Sequence, residues 1–178
     1  MQRKLTPGTH LPVLCKMICT PSSGISLLLE PRYINQDSTQ NLRAAIAEYY
    51  ECNPGLLAPV DLPDDVALLF RQHDAGHVVF GCDTSLRGET LIDTWTVFAT
   101  TAGLKGYLEY FKHPQVNQIF SEVGYLRITL EFVRCLPDVV RTIRHSRRLV
   151  AKWPWSAFEE HLDRPLCEIR REFNIAVI

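Results

Sequence analysis

His73, Asp74, His77 and Glu89 have the types and spacing to do chemistry together, and that chemistry is metal binding. Residues four apart on a helix lie about 40° apart on one face, one turn above the other, so His73 and His77 can turn two imidazoles toward one cation. The His-Glu-x-x-His helices of zinc proteases use that geometry, and Asp74 stands where they keep a general base. Glu89 is too far along the chain to reach the histidines on one straight helix, which would separate it from His77 by roughly 18 Å. The chain must double back between them. Gly81, Asp83, Thr84 and Ser85 carry the turn chemistry for that. Glu89 also lacks the partner that would make it a capping-box glutamate, since Leu86 stands where Ser or Thr would be needed.

The elements that must position these residues read as helices. Asp37-Ser38-Thr39 predicts the start of a helix running to about Glu51, with Leu42, Ala45, Ile46 and Tyr49 as its apolar stripe and Asn53-Pro54-Gly55 as its end. Asp64-Asp65 suits the N-terminus of the histidine helix, which carries Val66, Leu69 and Phe70 beside His73 and His77. After the turn a helix runs to about Thr101, with Leu91, Ile92, Trp95, Phe98 and Ala99 inward. Gly103 and Gly106 loosen a connection to a short aromatic helix (Tyr107, Leu108, Tyr110, Phe111), and Pro114 starts another brief turn. From about Ser121 to Val150 the pattern is helical again, with Leu126, Leu130, Val133 and Val140 as core candidates and Pro137 as a kink or break. Short helices follow near Ser156–His161 and from Pro165. No stretch alternates strictly enough for a strand. The fold class is all-α: a single-domain helical bundle over residues 1–178, its metal-site motif on a helix–turn–helix and residues 1–36 an irregular, proline-punctuated N-terminal segment.

Composition bounds the function. A chain of 178 residues with 46% hydrophobic and 22% charged residues is ordinary for one globular domain. Its net charge of −1 offers no field for nucleic acid. The six cysteines form no C-x-x-C pair and read as reduced, mostly buried thiols of a cytoplasmic protein. No uncharged run approaches the roughly 20 apolar residues of a membrane span. The first 29 residues contain no acidic side chain, but Pro7, Gly8, Pro12 and Lys16 interrupt the pattern of a targeting peptide.

With the motif and the tail in hand, a family resemblance emerges. His-Asp-x-x-His, eleven residues and Glu, with Gly81, Thr84 and Gly88 inside, resembles the signature of the ubiquinone (coenzyme Q) biosynthesis proteins of the fourth-locus type. The tail Asp163-Arg164-Pro165-Leu166-Cys167-Glu168-Ile169-Arg170-Arg171-Glu172-Phe173-Asn174-Ile175 is similar to that family's Pro-Leu-x-Glu-hydrophobic-Arg-Arg-Glu ending. The resemblance covers residues 64–175 and implies an all-helical, peripherally membrane-associated protein that assembles or modifies a quinone head group on its isoprenoid tail. It implies His73, Asp74, His77 and Glu89 as the metal-binding set, with zinc the usual ion. Iron suits the same two-histidine, one-carboxylate set, and magnesium is the third divalent candidate. The implied reaction replaces the C1 carboxyl of a prenylated hydroxybenzoate-type ring by hydroxyl, with Asp74 as a fourth ligand or the base. The competing reading is a binding protein or scaffold that presents an isoprenoid-tailed precursor to other quinone-biosynthesis proteins, as a monomer or homodimer, on the inner face of a membrane. A zinc-dependent hydrolase is a third reading. The sequence departs from the family at Ala75-Gly76, which implies a more open pocket wall, at Cys82-Asp83, and before the motif.

Two further features carry alternatives. Arg141, Arg144, Arg147, Arg148 and Lys152, followed by Trp153 and Trp155, make either a membrane-surface patch or a solvated helix face with the tryptophans in the core. Phe98, Tyr107, Tyr110, Phe111, Phe120 and Tyr125 read as core, or as the wall of an isoprenoid pocket. His10, His113, His145 and His161 have no ligand-like spacing and read as surface.

Overall fold

The computed structural model describes residues 30–56, 63–110, 112 and 124–178. Among them the structure is all-α, with no strand. The helices are α1 (Leu42–Cys52), α2 (Asp64–Phe80), α3 (Leu86–Ala99), α4 (Gly103–Tyr110), α5 (Tyr125–Ser146) and α6 (Leu166–Phe173), with 3-10 helices at Arg32–Ile34 and Trp155–His161. Most of the irregular segment expected over 1–36, the brief element at Pro114, and Cys15, Cys19, His10, Phe111, His113 and Phe120 fall outside the described residues.

α2 is the central element. Its start is acidic, as a helix N-terminus favours, and from Gln72 to Phe80 every residue is buried. Val78, Val79 and Phe80 join Leu91, Ile92 and Trp95 of α3, Leu42, Ala45 and Tyr49 of α1, and Leu166 and Ile169 of α6 in one core. Phe80 and Trp95 stack with centroids 4.7 Å apart and planes 13° from parallel. Each such side chain contributes roughly 1.5–3 kcal/mol by leaving water, so the histidine helix is anchored on three sides.

α2 ends at Gly81, whose φ of +67° is left-handed and whose N–H bonds back to the carbonyls of His77 and Val78. Two constraints select glycine there. Besides the positive φ, a Cβ would stand 2.7 Å from a methyl of Val177. Ser85 caps α3, its hydroxyl accepting from Gly88 N at 3.1 Å, and Asp83 Oδ1 accepts from Ser85 N at 3.0 Å. A Cβ on Gly88 would lie 2.1 Å from the Asp83 carbonyl oxygen. The turn is therefore too tight for any side chain at 88, and that tightness sets Glu89, one residue on, back over α2.

Several expectations need correction. α1 begins at Leu42, capped by Asn41, whose side chain accepts from Ala44 N at 2.8 Å. Residues 38–40 are used elsewhere: the carbonyls of Ser38 and Gln40 accept from Cys167 N and Leu166 N at the start of α6. Gly103 and Gly106 lie within α4. α5 passes through Pro137 as one helix. Leu126, Leu130, Val133 and Val140, expected in the core, are exposed (74%, 52%, 55% and 43%), whereas Cys135, Val139 and Thr142 are buried. Both sets repeat with the helical period. Smaller residues on the second let α5 approach α3, and the Arg87–Asp138 ion pair at 2.8 Å fixes the contact. Phe98 is also exposed. Trp153 and Trp155 are buried, which places them in the core and away from any surface patch. The described cysteines are free; Cys82 and Cys135 are buried, Cys52 is exposed and Cys167 lies between.

Candidate metal centre

The turn brings His73, His77 and Glu89 together, with one ligand atom of each within 4.8 Å of the others. Glu89 addresses both rings: one carboxylate oxygen lies 3.4 Å from His77 Nε2 and the other 3.8 Å from His73 Nε2. The rings meet edge to face with centroids 4.7 Å apart, and Tyr49 stacks on His77 at 5.4 Å. His77 is fully buried and His73 nearly so, whereas 38% of the Glu89 side chain stays exposed. The centre is closed toward the core and open through the carboxylate.

A good N–H···O bond spans about 2.7–3.2 Å, and both Glu89 contacts are longer. Two ligands each about 2.1 Å from a tetrahedral ion stand about 3.4 Å apart, so the His77–Glu89 separation matches the edge of a coordination shell. The other nitrogen of His77 lies 3.3 Å from the Cys82 carbonyl oxygen, an acceptor that selects the Nδ1–H tautomer. The lone pair on Nε2 then faces a carboxylate, and Nε2 is buried without a hydrogen-bond partner. Lone pair against carboxylate is repulsive unless a proton or a metal ion sits between them. A group of this composition could hold a metal ion.

The surroundings shift the titration of His73 and Glu89. Burial works against a charged His73, but the hydrogen bond its ring donates to Asp74 and the charges of Glu89, Asp74 and Asp93 outweigh it and push its pKa up to about 9. Burial likewise opposes ionisation of Glu89, yet the two histidines hold it below the ordinary carboxylate range. Its place in the first turn of α3 favours the anion as well.

Asp74 sits beside the trio, on the other edge of His73. Its Oδ1 is 3.7 Å from His73 Nδ1, and its Oδ2 accepts from the Tyr50 hydroxyl at 2.6 Å. Gly76, expected to open the pocket wall, instead lets α2 and its neighbours close up. A Cβ there would be 3.0 Å from Ile92 Cδ1 and 3.4 Å from the Trp155 ring. Cys82 contributes its carbonyl to His77 while its thiol points back to the Phe80 carbonyl. Thr84 ties the turn to α1 through Asn53 at 2.7 Å.

Sequence reasoning missed Asp93 and Tyr50. Asp93 is one helical turn beyond Glu89, accepts from the Tyr107 hydroxyl at 3.0 Å, and has its pKa raised to about 7, chiefly by burial. The four-residue spacing from Glu89 was a usable signal for it. Tyr50 comes from another helix and left none.

Fold and site together define an all-α protein with a His–His–Glu group able to hold a metal ion. In comparisons with known proteins, no family model, no curated sequence and no solved structure matches this chain.

Proposed function

We propose that this chain is a metal-binding protein of quinone biosynthesis that handles a prenylated hydroxybenzoate-type intermediate at the His73–His77–Glu89 centre. The observation that carries the metal reading is the buried, unpartnered Nε2 of His77 facing Glu89 at 3.4 Å. The pathway rests on the resemblance of the His73–Glu89 pattern and the 163–175 tail. Zinc is the ion proposed, because two imidazoles and a carboxylate are donors it accepts, and three protein ligands would leave a fourth position for a substrate oxygen. When bound, the ion supplies Lewis acidity toward a substrate oxygen. Asp74 then acts on His73 rather than on the ion. It fixes the imidazole so that Nε2 points at the centre, with Tyr50 holding the carboxylate in turn, the second-shell pattern of metal-bound histidines.

The exposed side of Glu89 favours a centre that receives a substrate over a closed structural one. The reaction proposed there replaces the C1 carboxyl of the ring by hydroxyl and releases carbon dioxide; one atom of dioxygen enters the new hydroxyl, and an external two-electron donor reduces the other to water. Metal analysis of purified protein beside His73→Ala and Glu89→Ala tests the centre. Roughly one divalent ion per chain is expected in the parent and little in either variant; equal metal content in all three removes the site.

No helix among the described residues is long and apolar enough to cross a membrane. The outer face of α5 nevertheless supports association with a membrane surface. Leu126, Leu130, Val133 and Val140 form an exposed apolar row, flanked by the exposed Arg127, Arg134 and Arg141. Two such faces packed together would set arginine against arginine, whereas anionic headgroups complement them. Co-sedimentation with phosphatidylglycerol vesicles should exceed that with phosphatidylcholine several-fold and fall in Leu130→Asp. Equal sedimentation with both lipids removes the membrane from the proposal.

A further inference from the structure

The start of α3 and the first turns of α5 leave an open groove of about 480 Å³ between them. It is lined by residues 85–87 and by one side of α5 between residues 126 and 134, so it is separate from the metal trio.

Its chemistry is that of an anion site. Three guanidinium groups, from Arg87, Arg127 and Arg134, share the groove with one carboxylate, Glu131. Asp138 pairs with Arg87, and counting it as well still leaves three positive charges against two negative. Arg87 spends Nε on Asp138 at 2.8 Å, and Arg134 meets Glu131 through Nη1 at only 3.4 Å. A guanidinium carries five N–H donors, so each of these two keeps donors for a second acceptor. The groove also begins at the N-terminal end of α3, where the helix dipole adds partial positive charge.

The rest of the wall is apolar. Leu86, Leu126 and Leu130 line it, and a bare phosphate would leave them in contact with water. The ligand that fits therefore carries its charge on an apolar body. Leu126 and Leu130, 74% and 52% exposed, also open the apolar row of α5 that faces the membrane under the function proposed above. An acyl chain leaving the groove along them enters that surface. A zwitterionic headgroup would bring an ammonium in among the arginines, whereas an anionic headgroup brings none.

We propose that the groove between α3 and α5 binds the headgroup of one anionic phospholipid, with its phosphate on Arg87, Arg127 and Arg134 and its chains along Leu126 and Leu130. The proposal names the lipid for the membrane face of α5, and it rests on that reading for where the chains go.

The test titrates the full chain, by calorimetry, with three soluble probes: dihexanoyl phosphatidylglycerol, dihexanoyl phosphatidylcholine (both as monomers) and glycerophosphate. The first should bind at least about tenfold more tightly than either of the others. Arg127→Glu and Arg134→Glu should each remove about that factor. Arg144→Glu makes the same charge change on the exposed face of α5, about 15 Å beyond Arg134. That exceeds the screening length of about 8 Å at physiological ionic strength, so this variant should stay within about twofold of the parent. No binding of phosphatidylglycerol, equal binding of phosphatidylcholine or glycerophosphate, or an equal loss in Arg144→Glu overturns the groove. Vesicle sedimentation separates the two proposals. If monomeric phosphatidylglycerol binds as expected while vesicles of both lipids sediment the protein equally, the membrane face falls and the groove stands; the reverse pair of results removes the groove alone.

Discussion

Zinc added to the metal-free protein is expected to raise its unfolding temperature far more at pH 8 than at pH 6. In the metal-free fold His73 holds a proton up to about 9, against 6.5 ordinarily, and Asp93 up to about 7, against 3.8. Both shifts are upward, so the folded state binds these protons more tightly than the unfolded chain does. The stability they contribute is fully present below the ordinary values and is lost as pH rises through the raised ones. Asp93 gives its share up between pH 3.8 and about 7, and His73 between 6.5 and about 9. The metal-free protein should therefore weaken steadily toward alkaline pH. A zinc ion has to displace the His73 proton, so its affinity should climb about tenfold per pH unit up to the His73 value. At fixed excess zinc each pH unit adds about 1.4 kcal/mol of stabilisation. From pH 6 to pH 8 that amounts to about 2.7 kcal/mol, or roughly 5–10 °C for a chain of this size. Thermal melts with and without zinc at both pH values check it, with Glu89→Ala as the control. A zinc shift of equal size at pH 6 and pH 8, or one that persists in Glu89→Ala, would sink the assignment of the ion to these three residues.

The site was legible because its information is local. His73 and His77 share a helix face by spacing alone, and the turn that returns Glu89 is written in Gly81, Asp83, Ser85 and Gly88, each with a contact that requires it. The helices were legible where one face is clearly apolar, as with Leu42, Ala45 and Tyr49 of α1. α5 shows the limit of such reading. Periodicity marks a helix but cannot say which of two apolar rows is inside, and the choice fell to Cys135, Val139 and Thr142 because small side chains pack closer. What the sequence hid was long-range. Asn41 caps α1 because residues 38–40 are paired with the start of α6, more than a hundred residues away. Tyr50 holds Asp74 from a neighbouring helix, which moved that carboxylate, read as a ligand or base, to the back of His73. Distances set by packing have no signature in spacing.

Arg170 is the extreme case, and Arg170→Met should cost about 3–5 kcal/mol of stability. The side chain is fully buried in α6 and spends its guanidinium on backbone carbonyls. Nε donates to Val79 O at 2.9 Å, Nη2 to Val78 O at 2.8 Å and Tyr33 O at 2.6 Å, and Nη1 to Asn35 O at 2.5 Å. Burial lowers its pKa to about 10, partly offset by Cys82, Cys167 and Asp37, so it stays charged at neutral pH. Two of its acceptors are the last carbonyls of α2, the negative end of the histidine helix, where a cation is favoured. Methionine fills similar space and supplies none of these donors, so the Val79 and Tyr33 carbonyls lose the partners Arg170 gives them, and those of Val78 and Asn35 keep only the bonds from Gly81 N and Ser38 N. Lysine should restore little, because a single ammonium cannot span acceptors on two elements as the planar fork does. Arg171, exposed on the same helix, is the internal control, and Arg171→Met should stay within about 0.5 kcal/mol of the parent. Urea unfolding of the three variants reads the difference as a lower midpoint at unchanged slope. If Arg170→Met unfolds within about 1 kcal/mol of the parent, the clamp on the histidine helix is not what holds the end of α2, and the rigidity of His77 must come from the core stack around Tyr49 and Phe80 instead.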